Sequence, residues 1–500
     1  VVPEGNPPVF QQGSGIKVTE TQPASPPSAG TREVPTLPRR DGKVIMESME
    51  GELSRSMKKL VMTDNPPPYF VSYTVKDIEE SDINARYGTI YFDEVRRYCF
   101  LYDQVRVGNY TFDSSRTRDM GLDFDMTDQY DPYLPLDNNI DAFRNRLWLV
   151  TDQKYKEALS SYLKKKARNV YRPKKDEADD FSREKPSTYS GPTESVSIDR
   201  DLWRARLRKI SGYFKNFPEI LDSGVNLDIK KVSRYFVSSE GSQVQTHALN
   251  MSLYLTVRAK AEDGMPLENY RIFSGPRPEA LGDEEKFMNE AKAMTEELLA
   301  LRKAPIMDPY TGPAILSPEV TGVFFHEVIG HRLEGERQKD EREGMTFKDK
   351  VGQEIIPKFL TVIDDPTMSE YLGVSLSGHY EYDDEGIPAQ KVVLIDNGVL
   401  KSFLLSRTPI KGFPHSNGHG RNATVEDSMA RMGNFLVTSS QEISPTTLKT
   451  KLLEECKKKG KPFGFYIKSV TGGETNTTKF GFQAFKGTPI LVYKVFADDG

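Results

Sequence analysis

The sequence predicts an α+β protein of two domains: a mixed helix and antiparallel-sheet N-terminal domain over residues 43–304, and a sheet-rich C-terminal domain over residues 305–500 carrying a helix with a candidate metal motif. Three observations support this. Helical and strand periodicities are mixed without the regular βαβ succession of a parallel sheet. At 500 residues the chain exceeds what one ordinary core organises. The stretch Pro305-Ile306-Met307-Asp308-Pro309-Tyr310 reads as a connector between the two.

Residues 1–42 are rich in Pro, Gly, Ser and Thr and read as an extended arm without enough apolar surface to fold. Ile45, Met49, Leu53, Met57 and Leu60 then recur at spacings of three and four, an amphipathic helix that opens the first domain. Strands are expected at Tyr69–Val75 and Tyr98–Tyr102, helices at Ala142–Arg168 and Asp201–Lys215, a strand region at Ser233–Thr256 and a helix at Glu284–Arg302. The charged run Lys164–Lys185 reads as a solvated helix end and loop. In the second domain Asp396-Asn397-Gly398 marks a hairpin within Lys391–Ser406. Ser444-Pro445 starts a late helix that stops at Gly460, and strands follow.

Composition bounds the function. Hydrophobic residues make up 37% and charged residues 28%, as in a globular protein. With 68 basic and 73 acidic residues the net charge is −5, which gives no electrostatic basis for holding nucleic acid. No apolar run is long enough to span a membrane. Cys99 and Cys456 are too few for a disulfide framework or a four-cysteine zinc site and read as packing residues. The chain begins at Val1, which together with the Pro-rich arm favours an exported bacterial protein, periplasmic or extracellular, with the cytoplasm as the alternative.

The chemistry concentrates in His326-Glu327-Val328-Ile329-Gly330-His331, on a helix with Ser317 as N-cap, Pro318 at its first position and Glu319 in its first turn. Metal hydrolysis needs neutral imidazoles to hold zinc, an open coordination position and a carboxylate base. His326, His331 and Glu327 offer those parts. Common zincins place their histidines four apart, about 40° from alignment on an α-helix; five apart they stand roughly 140° apart. Both can reach one ion only where the helix bulges to π-like geometry or unwinds, and Gly330 is placed to allow it. A hydrogen-bond ladder of Glu327, His331 and Glu334 on one stripe is the competing reading, with no metal.

The longer segment Phe325-His326-Glu327-Val328-Ile329-Gly330-His331-Arg332-Leu333-Glu334-Gly335-Glu336 resembles the metal motif of the TldD/PmbA family of metalloproteases. The resemblance continues through Asp383-Asp384-Glu385-Gly386, Leu404-Leu405-Ser406-Arg407, Gly418-His419-Gly420-Arg421 and Arg431-Met432-Gly433-Asn434. It implies one zinc per chain held by His326 and His331, with Glu327 as base. It also implies a cysteine ligand before a Lys-x-Gly element. Here that element is Lys479-Phe480-Gly481, and Thr477 stands where the thiolate belongs. A hydroxyl is a weak zinc ligand, so His419, His415 and Glu334 join Thr477 as candidates for a third ligand, with Glu334 also suited to orienting a ligating histidine. Arg421 and Asn434 are expected to contact substrate, while His247 and His379 read as structural.

The implied activity is hydrolysis of peptide bonds in unfolded or extended peptides, by a homodimer or a heterodimer with a paralogue. The rival is a catalytically inactive, peptide-binding partner of an active paralogue. A regulatory role on DNA gyrase, in keeping with an old label of the family, finds no support in the charge balance.

Overall fold

The computed structural model describes residues 41–115, 131–171, 178–193, 196–340, 342–423 and 426–496; nearly all of the arm expected over residues 1–42 lies outside them. Helix α1 (Gly42–Lys59) is capped by Asp41, whose carboxylate accepts from the Lys43 N–H, and buries Ile45 and Met49. Strands β1 (Pro68–Arg86) and β2 (Thr89–Val107) form a long antiparallel pair and are followed by α2 (Ile140–Tyr171), β3 (Thr188–Ser190) and α3 (Arg200–Tyr213). Next come β4 (Ile220–Ser238), β5 (Gln243–Lys260), β6 (Pro266–Gly275), α4 (Pro278–Leu281) and α5 (Glu284–Leu301). Sheet order is β2-β1-β4-β5-β3, with β6 also paired to β5. The strand region expected over Ser233–Thr256 is in fact a hairpin, turning through Ser239, Glu240 and Gly241, the glycine at φ 102°.

Strands of 19 residues run roughly 60 Å, and their alternation gives each a single apolar face. On β1 that face carries Val71, Tyr73 and Val75 at one end, under α1 and α2, and Ile83 and Ala85 at the other, under α3 and α5. Cys99 lies in the first of these clusters and Cys456 in a small one near the C-terminus, both as packing residues. The charged run expected to be solvated contributes a buried ion pair instead, Lys165 to Asp180 at 2.5 Å; its residues 172–177 lie outside the described ones.

The C-terminal half contributes β7 (Ala314–Leu316), α6 (Pro318–Phe325), β8 (Leu360–Asp364), the small pair β9 (Glu370–Tyr371) and β10 (Val374–Ser375), and β11 (Val392–Asp396) with β12 (Val399–Leu400). After β13 (Gly420–Arg421), β14 (Met429–Ala430) and β15 (Phe435–Ser439), the chain ends with α7 (Pro445–Lys458), β16 (Phe463–Thr475) and β17 (Phe485–Phe496). The expected hairpin turns on Asn397 (φ 45°) and Gly398 (φ 82°), with Asp396 facing Val399, as an Asn-Gly pair favours. Two larger sheets result, β12-β11-β8-β15 and β17-β16-β7, beside the two-stranded pairs β9-β10 and β13-β14. Outside their short strands, residues 335–430 are mostly irregular and less strand-rich than the sequence suggested.

Charge rather than apolar pattern fixes that irregular stretch. The face of the large sheet opposite the helices presents Lys76 of β1 and Arg234 of β4, which are cross-strand neighbours, to Asp384. Arg234 donates to the Asp384 carboxylate at 2.6 Å and to the carbonyls of Asp383 and Tyr382; Arg421 and the Asn422 N–H bind the other Asp384 oxygen. Arg407, also buried, pairs with Glu240 at 2.6 Å and lies over the Phe181 ring. Burial would raise the Asp384 pKa, but the charges of Arg421, Arg234 and Lys76 outweigh it and hold the carboxyl below its ordinary range. Asp384→Ala leaves these cations buried and unpaired, and is expected to cost roughly 3–5 kcal/mol in denaturant unfolding. Because the folded-state pKa is depressed, the Asp384 contribution is present above the unfolded pKa near 4 and fades below it, so the cost of the substitution shrinks in acid.

Candidate metal centre

Helix α6 begins as its sequence directs: the Ser317 hydroxyl accepts from the Val320 N–H and Pro318 occupies the first turn. At His326 the helix widens, and His326–Gly330 form one π turn in which the His331 N–H reaches the His326 carbonyl. This turn removes the angular mismatch of a five-residue spacing. The His326 and His331 rings lie with centroids 4.6 Å apart. Glu327 joins them, one carboxylate oxygen 3.8 Å from His331 Nε2, and one ligand atom from each of the three falls within 4.8 Å of the others. His326 is exposed, so the group is open on one side.

Two glycines make room for this arrangement. Gly330 has ordinary helical backbone, φ −56°, so its value is space: a Cβ there would stand 2.2 Å from Met432 Sδ. At Gly473 a Cβ would approach Glu327 Cγ to 3.2 Å, so β16 can run directly past the base. Ile329 and Leu333 anchor the turn in a core with Leu394, Leu400 and Leu404.

Glu334 holds the His331 ring. His331 Nδ1 lies 2.8 Å from Glu334 Oε1, which leaves His331 Nε2 for a metal. Glu334 is buried and also accepts from Arg337 at 2.7 Å and Arg431 at 3.1 Å. Burial works to raise its pKa, yet the His331 hydrogen bond and the two arginines lower it overall. His326 is open to solvent on one side, but the protein packed against its other side partly desolvates it, and this and then the charge of His331 shift it down, which favours the neutral imidazole that metal ligation requires.

The other candidate ligands fall elsewhere. His419 is fully buried, with Nε2 on Asp364 at 3.1 Å and Nδ1 near Asn417 O at 3.0 Å, so both nitrogens are engaged away from the three. His415 is exposed beside Glu184, at 3.5 Å. The Thr477 hydroxyl accepts from Arg337 at 2.9 Å, one link behind Glu334. Neither expected substrate residue stands free. Arg421 binds Asp384 and lies over Tyr380, and Asn434 is buried with its amide donating to the carbonyls of Asp365 and Met368. His247 bonds Ser233 and His379 faces the Pro366 carbonyl, both bracing roles. Sequence reasoning missed Arg332, Arg337 and Asp364. An arginine one and six residues past a ligating histidine was the available signal for the first two; nothing local marked Asp364.

Residues 309–490 match the PmbA/TldA metallopeptidase C-terminal domain. Over these residues the chain carries the C-terminal domain of the TldD/PmbA family. A metalloprotease from Methanocaldococcus jannaschii is 30% identical over 278 residues, covering 54% of this chain and 56% of the relative. A zinc metalloprotease TldD homolog from Saccharolobus solfataricus is 30% identical over 177 residues, 34% of this chain and 36% of that one. The chain spans about half the length of the first curated relatives it matches, 56% and 51%. The crystal structure of TldE from Thermococcus kodakarensis superposes with a TM-score of 0.53 at 14% identity, over 90% of this chain and 92% of that one, so the fold is shared.

Glu334→Gln removes the charge that fixes His331 and is expected to weaken metal binding roughly 10- to 100-fold in equilibrium dialysis of the folded protein; because it also strips Arg337 and Arg431 of a buried partner, the melting temperature should fall.

Proposed function

We propose that the chain is a zinc-dependent peptidase acting on extended, unfolded peptides, with residues 305–500 as its metallopeptidase domain. The observation that carries this reading is the π turn, which brings His326, Glu327 and His331 together at a solvent-facing point. The donors fit zinc: two imidazoles, one with its far nitrogen on a carboxylate, and a further carboxylate beside an open position.

His326 and His331 would hold the metal. When bound, zinc supplies a Lewis acid that polarises the scissile carbonyl and makes water a nucleophile near neutral pH. Glu327 takes the proton of the attacking water and returns it to the departing amine, from a position fixed by the π turn and by β16. Glu334 holds the His331 ring through Nδ1. The outer edge of β17, with the exposed surface around His326, suits an extended peptide that adds main-chain hydrogen bonds to a sheet, a weakly sequence-selective mode. A homodimer, or a heterodimer with a paralogue, would enclose that peptide.

One observation favours a second reading. Thr477 is engaged by Arg337, and His419 and His415 lie elsewhere, so among the described residues no third histidine or cysteine joins the cluster. A chain with so few metal donors could instead serve as the peptide-binding, inactive partner of an active paralogue. Elemental analysis and cleavage of an unstructured peptide separate the two. The peptidase reading expects about one zinc per chain, lost in His326→Ala, and cleavage reduced at least roughly 100-fold in Glu327→Gln with zinc retained. Peptide binding without zinc or cleavage would select the partner reading.

A further inference from the structure

We propose that Phe482, with Phe480 on the same loop, forms an apolar subsite that receives a large uncharged side chain of the bound peptide; this rests on the peptide-binding reading above. Both side chains stand out from the loop joining β16 to β17, at 83% and 79% exposure. Exposing two phenylalanines is costly for an ordinary surface loop, and a mobile loop would fold them back.

This loop is held in place. Arg332, next in sequence to His331, donates to Gln483 Oε1 and Gln483 O at 3.1 Å and to Thr475 Oγ1 at 3.2 Å. Arg337 donates to Thr477 Oγ1, the Gly344 N–H reaches the Thr477 carbonyl at 2.6 Å, and the Lys479 N–H reaches the Arg342 carbonyl at 2.6 Å. The loop closes on itself through Gln483 Nε2 donating to Thr478 O at 2.8 Å. Two arginines from the metal-bearing segment therefore fix the phenylalanines relative to His331.

Phe482 lines a cleft of about 500 Å³ whose wall includes Glu474. Glu474 follows Gly473 on β16, where a Cβ would stand 3.2 Å from Glu327 Cγ, so the strand that walls the cleft also passes the base. Its charges cancel in pairs: Arg337 with Glu343 at 2.7 Å, and Lys486 with Glu474 at 3.3 Å. The rest of the wall is neutral, Thr475, Asn476, Thr477, Thr478 and Ala484, so the Phe482 ring is its one large apolar face and the part suited to an uncharged, bulky side chain.

The test uses the full chain carrying Glu327→Gln and two labelled, unstructured peptides of equal length, one with central phenylalanine and leucine, the other with serine and glycine there. Binding is read by fluorescence anisotropy, and assembly by sedimentation. The proposal expects tighter binding of the apolar peptide, a roughly tenfold loss of that affinity in Phe482→Ser, little change for the polar peptide, and retention in Phe482→Leu. Unchanged selectivity in Phe482→Ser overturns the subsite while leaving peptide binding intact. A change in assembly with selectivity unchanged also overturns it and assigns the phenylalanines to a contact between chains. Failure of both peptides to bind the parent overturns the subsite together with peptide recognition, and zinc content then decides separately whether the metal centre stands.

Discussion

The single i→i+5 turn at His326–Gly330 is the constraint on which the rest of the site depends. An α-helix with the same sequence would aim its two histidines about 140° apart. The wider turn is intrinsically unfavourable and needs support on every side. Leu333 and Ile329 are sunk in the core, Met432 lies against Gly330, β16 passes at Gly473, and Glu334 holds the ring of His331. Met432 and β16 come from parts of the C-terminal half distant in sequence, so that half folds around the turn rather than merely carrying it.

Buried charge supplies the second organising principle. Residues 335–430 have too little regular structure to satisfy their backbone groups through ladders alone, and the structure uses carboxylates instead. Asp383 accepts from the N–H groups of Glu385, Ile387 and Gly420, Asp364 from that of Gly433, and Asp384 from that of Asn422. Through Arg234 and Lys76 the Asp384 carboxylate fastens this half onto the large sheet. Such a group is expensive to desolvate, and the charged partners around Asp384 offset the cost, while Asp383 is held by backbone N–H groups.

The sequence was most legible where the determinants are local. The caps at Ser317 and Ser444, the Asn397-Gly398 turn and the apolar spacing of α1 act within a few residues, and each element lies where these signals put it. The need for a π-like distortion was also readable, because histidine spacing and helix pitch are both known quantities. Long-range pairings were not readable. His419 looked like a substitute ligand because its partner Asp364 is distant in sequence, and Asn434 looked like a substrate contact because the carbonyls it braces belong to another loop. The turn at Glu240-Gly241 carried a local signal in Ser238-Ser239-Glu240-Gly241-Ser242, which the reading of one strand region passed over.

The most direct test of the account is the zinc X-ray absorption spectrum of the full chain loaded with one equivalent of metal. The account predicts stoichiometric zinc with two imidazole neighbours, the remaining positions filled by oxygen or nitrogen, and no sulfur, since Cys99 and Cys456 are buried in separate cores. His331→Ala should lose the bound metal. A sulfur neighbour, or zinc retained undiminished in His331→Ala, would contradict the claim that the π turn builds the metal site.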